Sequence, residues 1–98
     1  MKVLPEPLSF EWDKGNIDKS LTKHGVTNEE IEQAFQNDPK VIFSDERHSQ
    51  AERRYGLYGY THKGRKLSIV FTIRDNRIRV ITARSMSVKE RRAYEEKI

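Results

Sequence analysis

Ninety-eight residues, 35% hydrophobic and 35% charged and without a cysteine, suit one small domain with a modest core and exclude disulfides and thiolate metal sites. No apolar run approaches the length of a bilayer span, and the opening MKVLPEPLSFEWD holds no signal-peptide core, so a cytoplasmic protein without membrane contact is expected. The net charge of +4 hides a polarity: residues 1–45 carry five lysines against nine acids, residues 46–98 carry fourteen lysines and arginines against six acids, and all ten arginines lie after position 46.

In chain order, Pro5 and Pro7 mark an extended leader over residues 1–7. Leu8, Phe10 and Trp12 alternate with Ser9 and Glu11, which predicts a short strand. Asp13 reads as the N-cap of a helix whose apolar stripe is Ile17, Leu21 and His24 and which Gly25 closes in the left-handed conformation. A second helix starts at once. Thr27 and Glu30 form a capping box, Val26 and Ile31 the hydrophobic staple, Ile31, Ala34 and Phe35 the buried face, and Asn37-Asp38-Pro39 the stop.

Val41–Ser44 is a strand candidate, Asp45–Gln50 a polar loop, and Arg54–Thr61 a strand rich in tyrosine and glycine. After a Lys63-Gly64 turn, Leu67 to Arg74 alternates as a strand, and the Asp75-Asn76 turn leads into the strand Arg77–Arg84. A two-residue turn pairs Ile73 with Ile78 and Arg74 with Arg77. Leu67, Ile69, Phe71, Ile73, Ile78 and Val80 then face the core, while Val70, Thr72, Arg74, Arg77, Arg79 and Ile81 share the other face. On that register Thr82 and Arg84 continue the core face. An unpaired charge there is costly, so Arg84 is expected to hold a carboxylate or a phosphate. Ser87 and Glu90 form a second capping box, and the helix behind them has only a thin apolar stripe of Val88, Ala93, Tyr94 and Ile98. Helices and strands are segregated, which predicts an α+β single domain (1–98): an antiparallel sheet with an N-terminal helical pair and a C-terminal helix.

His24, His48 and His62 show no metal-ligand spacing, and the chain holds no P-loop, G-x-G-x-x-G or G-x-S-x-G motif. No metal and no cofactor is expected. What remains is arginine, lysine, histidine, tyrosine and glutamate, a set able to cleave RNA. The 2′-hydroxyl is a built-in nucleophile, so an enzyme supplies a base, cations for the crowded phosphate and an acid for the leaving 5′-oxygen. Arginine grips phosphate in two places and stays charged, histidine suits proton transfer, and an exposed tyrosine stacks on bases. Each candidate also has a plain structural role. Lys23 and His24 complement a helix C-terminus, Glu52 and Arg54 suit a local salt bridge, Arg79 guards a strand edge, and His48 and His62 suit polar surface turns.

The motifs F-E-W-D (Phe10–Asp13), K-H-G-V (Lys23–Val26), T-N-E-E-I (Thr27–Ile31), D-P (Asp38-Pro39) and D-E-R-H-S (Asp45–Ser49) occur in that order. They are followed by E-x-R ahead of a G-x-x-G strand (Glu52, Arg54, Gly56, Gly59), R-I-x-V-I-T-A-R (Arg77–Arg84) and E-R-x-x-Y (Glu90, Arg91, Tyr94). Together, over Leu8 to Glu95, they resemble the BrnT toxins of bacterial type II toxin–antitoxin systems. The seven-residue leader and Met86 depart from that pattern. The resemblance implies a RelE-like fold and a metal-independent ribonuclease that inhibits translation. It also implies a BrnA-like ribbon-helix-helix antitoxin, a complex of two toxins with two antitoxins, and operator DNA bound through the antitoxin. It puts forward His24, Glu52, Arg54, Arg84 and Tyr94 as catalytic residues and Lys23, Arg74 and Arg79 as RNA-binding ones. The alternative is a non-catalytic module that binds nucleic acid or a partner within a transcriptional repressor complex.

Overall fold

Asp75 and Asn76 both adopt left-handed backbone angles (φ 52° and 58°), the geometry a two-residue hairpin needs to match the twist of its strands. That turn joins strands β3 (Lys66–Arg74) and β4 (Arg77–Ser85) with Ile73 opposite Ile78 and Arg74 opposite Arg77, as expected. Upstream lie helices α1 (Lys19–His24) and α2 (Asn28–Gln36), strand β1 (Val41–Ser44), a 3-10 turn (Glu46–His48) and strand β2 (Tyr55–Tyr60); helix α3 (Val88–Lys97) follows β4. The computed structural model describes residues 2–48 and 52–98. Ser49 and Gln50, at the end of the expected loop, lie outside the described residues, and the residues of the loop before them include the 3-10 turn. The strands form one antiparallel meander in the order β1-β2-β3-β4. This is the expected α+β architecture: two helices before the strands and one after them.

One sheet face is apolar. Leu57, Leu67, Ile69, Phe71, Ile78, Val80 and Ala83 are buried there together with Val26, Ile31, Ala34 and Phe35 from the α2 region. The capping box of α2 is complete, with the Thr27 hydroxyl accepting from Glu30 N–H and the Glu30 carboxylate accepting from Thr27 N–H. Its staple residues Val26 and Ile31 are 0% and 1% exposed. Phe35 meets Phe71 and Phe10 edge-on at centroid distances of 5.1 and 5.3 Å, the favoured geometry for aromatic pairs.

The N-terminal third departs from its sequence pattern. Leu8–Trp12 makes a single parallel bridge, Phe10 to Ile78, rather than a strand pair. Asp13 starts a turn, accepting from Gly15 N–H at 2.7 Å, and α1 begins only at Lys19 behind a left-handed Asp18 that provides no side-chain cap. The expected stripe is outside: Ile17 and Leu21 are 46% and 44% exposed, and Ser20 is the buried residue of α1. The reason lies in the outer edge of β4, whose backbone groups need partners. Glu11 N–H donates to Ile78 O and Ile78 N–H to Ser9 O; Asn16 Nδ2 donates to Val80 O, and Ser20 Oγ accepts from Ala83 N–H. Polar groups, not apolar ones, seat α1 on the sheet. The leader is likewise not a free extension, since Pro5 is buried and Val3, Leu4 and Leu8 pack on the core.

Helix α3 keeps its capping box. It is anchored by Tyr94, 2% exposed, whose hydroxyl donates to Pro39 O at 2.7 Å, whereas Val88 and Ile98 stay exposed. Among the described residues, no helix is long and apolar enough to cross a membrane.

Candidate active site

The second sheet face mixes polar, aromatic and aliphatic side chains, and one irregularity determines what it displays. Pairing between β3 and β4 jumps from Val70 opposite Thr82 to Phe71 opposite Val80, so Ile81 is an extra residue, a β-bulge. The bulge inverts the side-chain parity of everything after it. Ala83 turns into the core, fully buried, and Thr82 and Arg84 turn out onto the open face. The expectation that Arg84 points to the core side is therefore overturned; its side chain is 45% exposed. The register now sets two cross-sheet rows on the open face: Val41, Tyr58, Ser68 and Arg84, and beside it Phe43, Gly56, Val70 and Thr82.

Three adjoining hollows run across this face. One of 310 Å³ is lined by Phe43, Asp45, Arg47, Tyr58, Arg84 and Glu90. A second of 240 Å³ shares Ser68, Val70 and Arg84 with it and adds Arg54 and Thr82. A third of 140 Å³ shares Ile81 and Thr82 and reaches Lys19, Lys23 and His24 on α1. Lys23, His24, Arg54 and Arg84, scattered over sixty residues of sequence, thus line neighbouring hollows that share Ile81 and Thr82, a groove across the face. His24 is exposed in the last turn of α1, which Gly25 closes at φ 67°. Arg65 holds that end in place by donating to Gly25 O at 2.9 Å while pairing with Glu30.

Arg84 grips Glu90 in a fork, Nη1 to Oε1 at 2.6 Å and Nη2 to Oε2 at 2.8 Å. Glu90 also receives Ser68 Oγ and Ser87 N–H. These donors, Arg84 first, hold its carboxyl at a pKa of about 2. Burial, reinforced by the nearby Glu90, pushes the Tyr58 hydroxyl above its ordinary value, against the opposing pull of Arg84.

The other expected residues lie elsewhere. Glu52 pairs with Arg74 at 3.0 Å, and that guanidinium holds its carboxyl below the usual range. Arg79, 16% exposed, is clamped by Glu11 at 2.8 Å and by both oxygens of Asp13 at 2.8 and 2.9 Å, which lowers the Asp13 carboxyl to about 2. Arg74 and Arg79 therefore form an ion-pair cluster with Glu11, Asp13 and Glu52 beyond the groove. Tyr94 belongs to the anchoring of α3, and its buried ring is not the exposed tyrosine that stacking needs.

Sequence reasoning missed Tyr58, Phe43 and Glu90 as residues of this face. The pairing of β2 with its neighbours, which places Tyr58 beside Ser68 and Phe43 beside Gly56, was the signal that could have found the first two. Among the described residues, no three His, Asp or Glu side chains cluster as a metal site would require.

A family model described as the ribonuclease toxin BrnT of type II toxin–antitoxin systems matches residues 12–90. A search of curated proteins finds no match.

Proposed function

The chain belongs to the family of BrnT ribonuclease toxins of type II toxin–antitoxin systems, and from that premise we propose that it cuts RNA without a metal, on the open face of its sheet. Membership brings RNA as the substrate and an antitoxin as the partner. The observation that carries the reading is the groove in which Arg54 and Arg84 share one hollow and Lys23 and His24 the next.

In this reading the 2′-oxygen forms a bond to phosphorus as the bond from phosphorus to the 5′-oxygen breaks, leaving a cyclic phosphate and a 5′-hydroxyl. Arg54 and Arg84 hold the phosphate and neutralise the charge that builds on its oxygens. The 2′ proton passes to His24 or Glu52, and the leaving 5′-oxygen takes up a proton from solvent water as it departs. His24 is favoured by its place in the groove, and Glu52 is disfavoured by its ion pair with Arg74. Lys23 guides the RNA backbone into the groove, while Arg74 and Arg79, held by Glu11, Asp13 and Glu52, lie beyond it and order that edge of the face. Tyr94 acts through the seating of α3 rather than on the base. The fold is then a RelE-like one, and cleavage in the cytoplasm stops translation. The antitoxin is a BrnA-like ribbon-helix-helix protein in a two-plus-two complex that binds operator DNA, and it silences the toxin by covering the groove.

The test is incubation of the purified full chain with RNA in excess chelator, beside Arg84→Ala and with the antitoxin added back. Wild type is expected to leave cyclic-phosphate ends, Arg84→Ala to be slower by roughly a hundredfold or more, and the complex to be silent. Equal cleavage by a folded Arg84→Ala, or loss of activity in chelator alone, would overturn the assignment. Binding without cleavage, weakened in graded steps by each arginine change, is the result that the alternative repressor-module reading predicts.

A further inference from the structure

The open face holds a pair of aromatic rings that the cleavage chemistry above does not use. Phe43 on β1 and Tyr58 on β2 are diagonal neighbours across the strand pair, with ring centroids 4.9 Å apart and planes tilted by 58°. Both are partly exposed and both line the hollow that also holds Arg47 and Arg84. Their seat is built by a glycine. Gly56 stands opposite Phe43, and the Phe43 ring lies over the space a Cβ would fill, so the ring is laid down on the sheet. An apolar ring pair on the solvent face of a sheet is costly to leave uncovered, and the core is on the other face. Aromatic rings beside guanidinium groups on an open sheet face are the arrangement that receives unstacked bases of single-stranded RNA, the rings taking the base and the cations the flanking phosphates.

We infer that Phe43 and Tyr58 form a nucleobase-stacking subsite that seats a base of single-stranded RNA next to the phosphate held by Arg84. The inference rests on the RNA reading of this face and adds to it a preference for unpaired bases. A duplex keeps its bases stacked on one another and offers the rings nothing.

The probe is a fluorescently labelled, fully 2′-O-methyl oligonucleotide, which lacks the attacking hydroxyl, compared with an abasic strand of equal length and charge. Anisotropy titrations of the full chain measure both. Wild type should bind the base-bearing strand at least about tenfold more tightly, since stacking on an aromatic side chain contributes about 1–3 kcal/mol per base. Phe43→Leu and Tyr58→Leu should erase most of that preference while leaving affinity for the abasic strand in place, and Tyr58→Phe should keep it. Circular dichroism confirms that each variant is folded. Equal binding of the two strands by wild type, or a preference that survives in both folded leucine variants, would overturn the subsite and leave the phosphate-binding groove standing. Failure of wild type to bind either strand at low salt would remove the RNA reading of this face together with the subsite.

Discussion

Glu90 does three things at once: it closes the capping box of α3, accepts the fork of Arg84 and receives the Ser68 hydroxyl. Its pKa falls from an ordinary 4.5 to about 2 as a result. A carboxyl whose folded pKa is depressed stabilises the fold fully above its unfolded pKa, and that stability is lost as pH falls through the folded value. The window is therefore pH 4.5 down to 2, and Asp13, also held at about 2 by Arg79, titrates in the same range. For Glu90, whose side chain is 18% exposed, a shift of this size corresponds to roughly 3 kcal/mol. Urea midpoints measured from pH 5 to pH 2.5 should fall steeply for wild type and less steeply for Glu90→Gln, in which glutamine preserves the cap but cannot titrate. Equal steepness would show that the Arg84 pair contributes nothing to acid sensitivity. At this scale the sequence was partly legible. The carboxylate expected at Arg84 is there in Glu90, but the reason given for it, a core-side setting, is not, because a bulge adds one residue without any mark such as a glycine at Ile81 and turns the side chain to the open face.

At the scale of elements, capping chemistry was readable and edge chemistry was not. Thr27 with Glu30 and Ser87 with Glu90 announce two helix starts by side chains acting on their own first turns, a local matter. Helix α1 has no such local logic. Periodicity assigns its inner face to Ile17 and Leu21, but what it meets is the backbone rim of β4, which takes a hydroxyl from Ser20 and an amide from Asn16. The consequence is measurable. Ser20→Ala removes the acceptor for a buried N–H and should cost about 1–3 kcal/mol. Leu21→Ser, although it removes a larger apolar group, should stay within about 0.5 kcal/mol of wild type because that group is at the surface. Chemical denaturation of the two variants ranks them, and the opposite order would restore the apolar stripe as the packing face. The seating of α1 also bears on the site, because it brings Lys23 and His24 to the Ile81-Thr82 end of the groove.

At the scale of the whole molecule, the charge polarity of the chain is partly consumed by folding. Acids of the first half neutralise arginines of the second: Glu11 and Asp13 at Arg79, and Glu30 at Arg65. Glu52 and Glu90 hold Arg74 and Arg84 within the second half. A chain read as a string of ten arginines suggests a long electrostatic footprint, whereas in the folded chain four cations, Lys19, Lys23, Arg54 and Arg84, line the adjoining hollows of the open face. Single-stranded RNA binding loses about 0.7 in log affinity per tenfold salt for each phosphate neutralised. Three or four phosphates in the groove then predict a slope of about −2 to −3 for a non-cleavable strand, where ten engaged arginines would give about −7. Lys23→Ala should flatten the slope by about 0.7, because it removes one phosphate partner from the groove. Arg79→Gln should leave it almost unchanged, because that guanidinium is 16% exposed, held by two carboxylates and outside the hollows, whereas Arg84 is 45% exposed, faces one carboxylate and lines them. A wild-type slope near −7, or a marked change in Arg79→Gln, would mean that RNA dismantles the ion-pair cluster on binding and that the footprint extends over the whole open face.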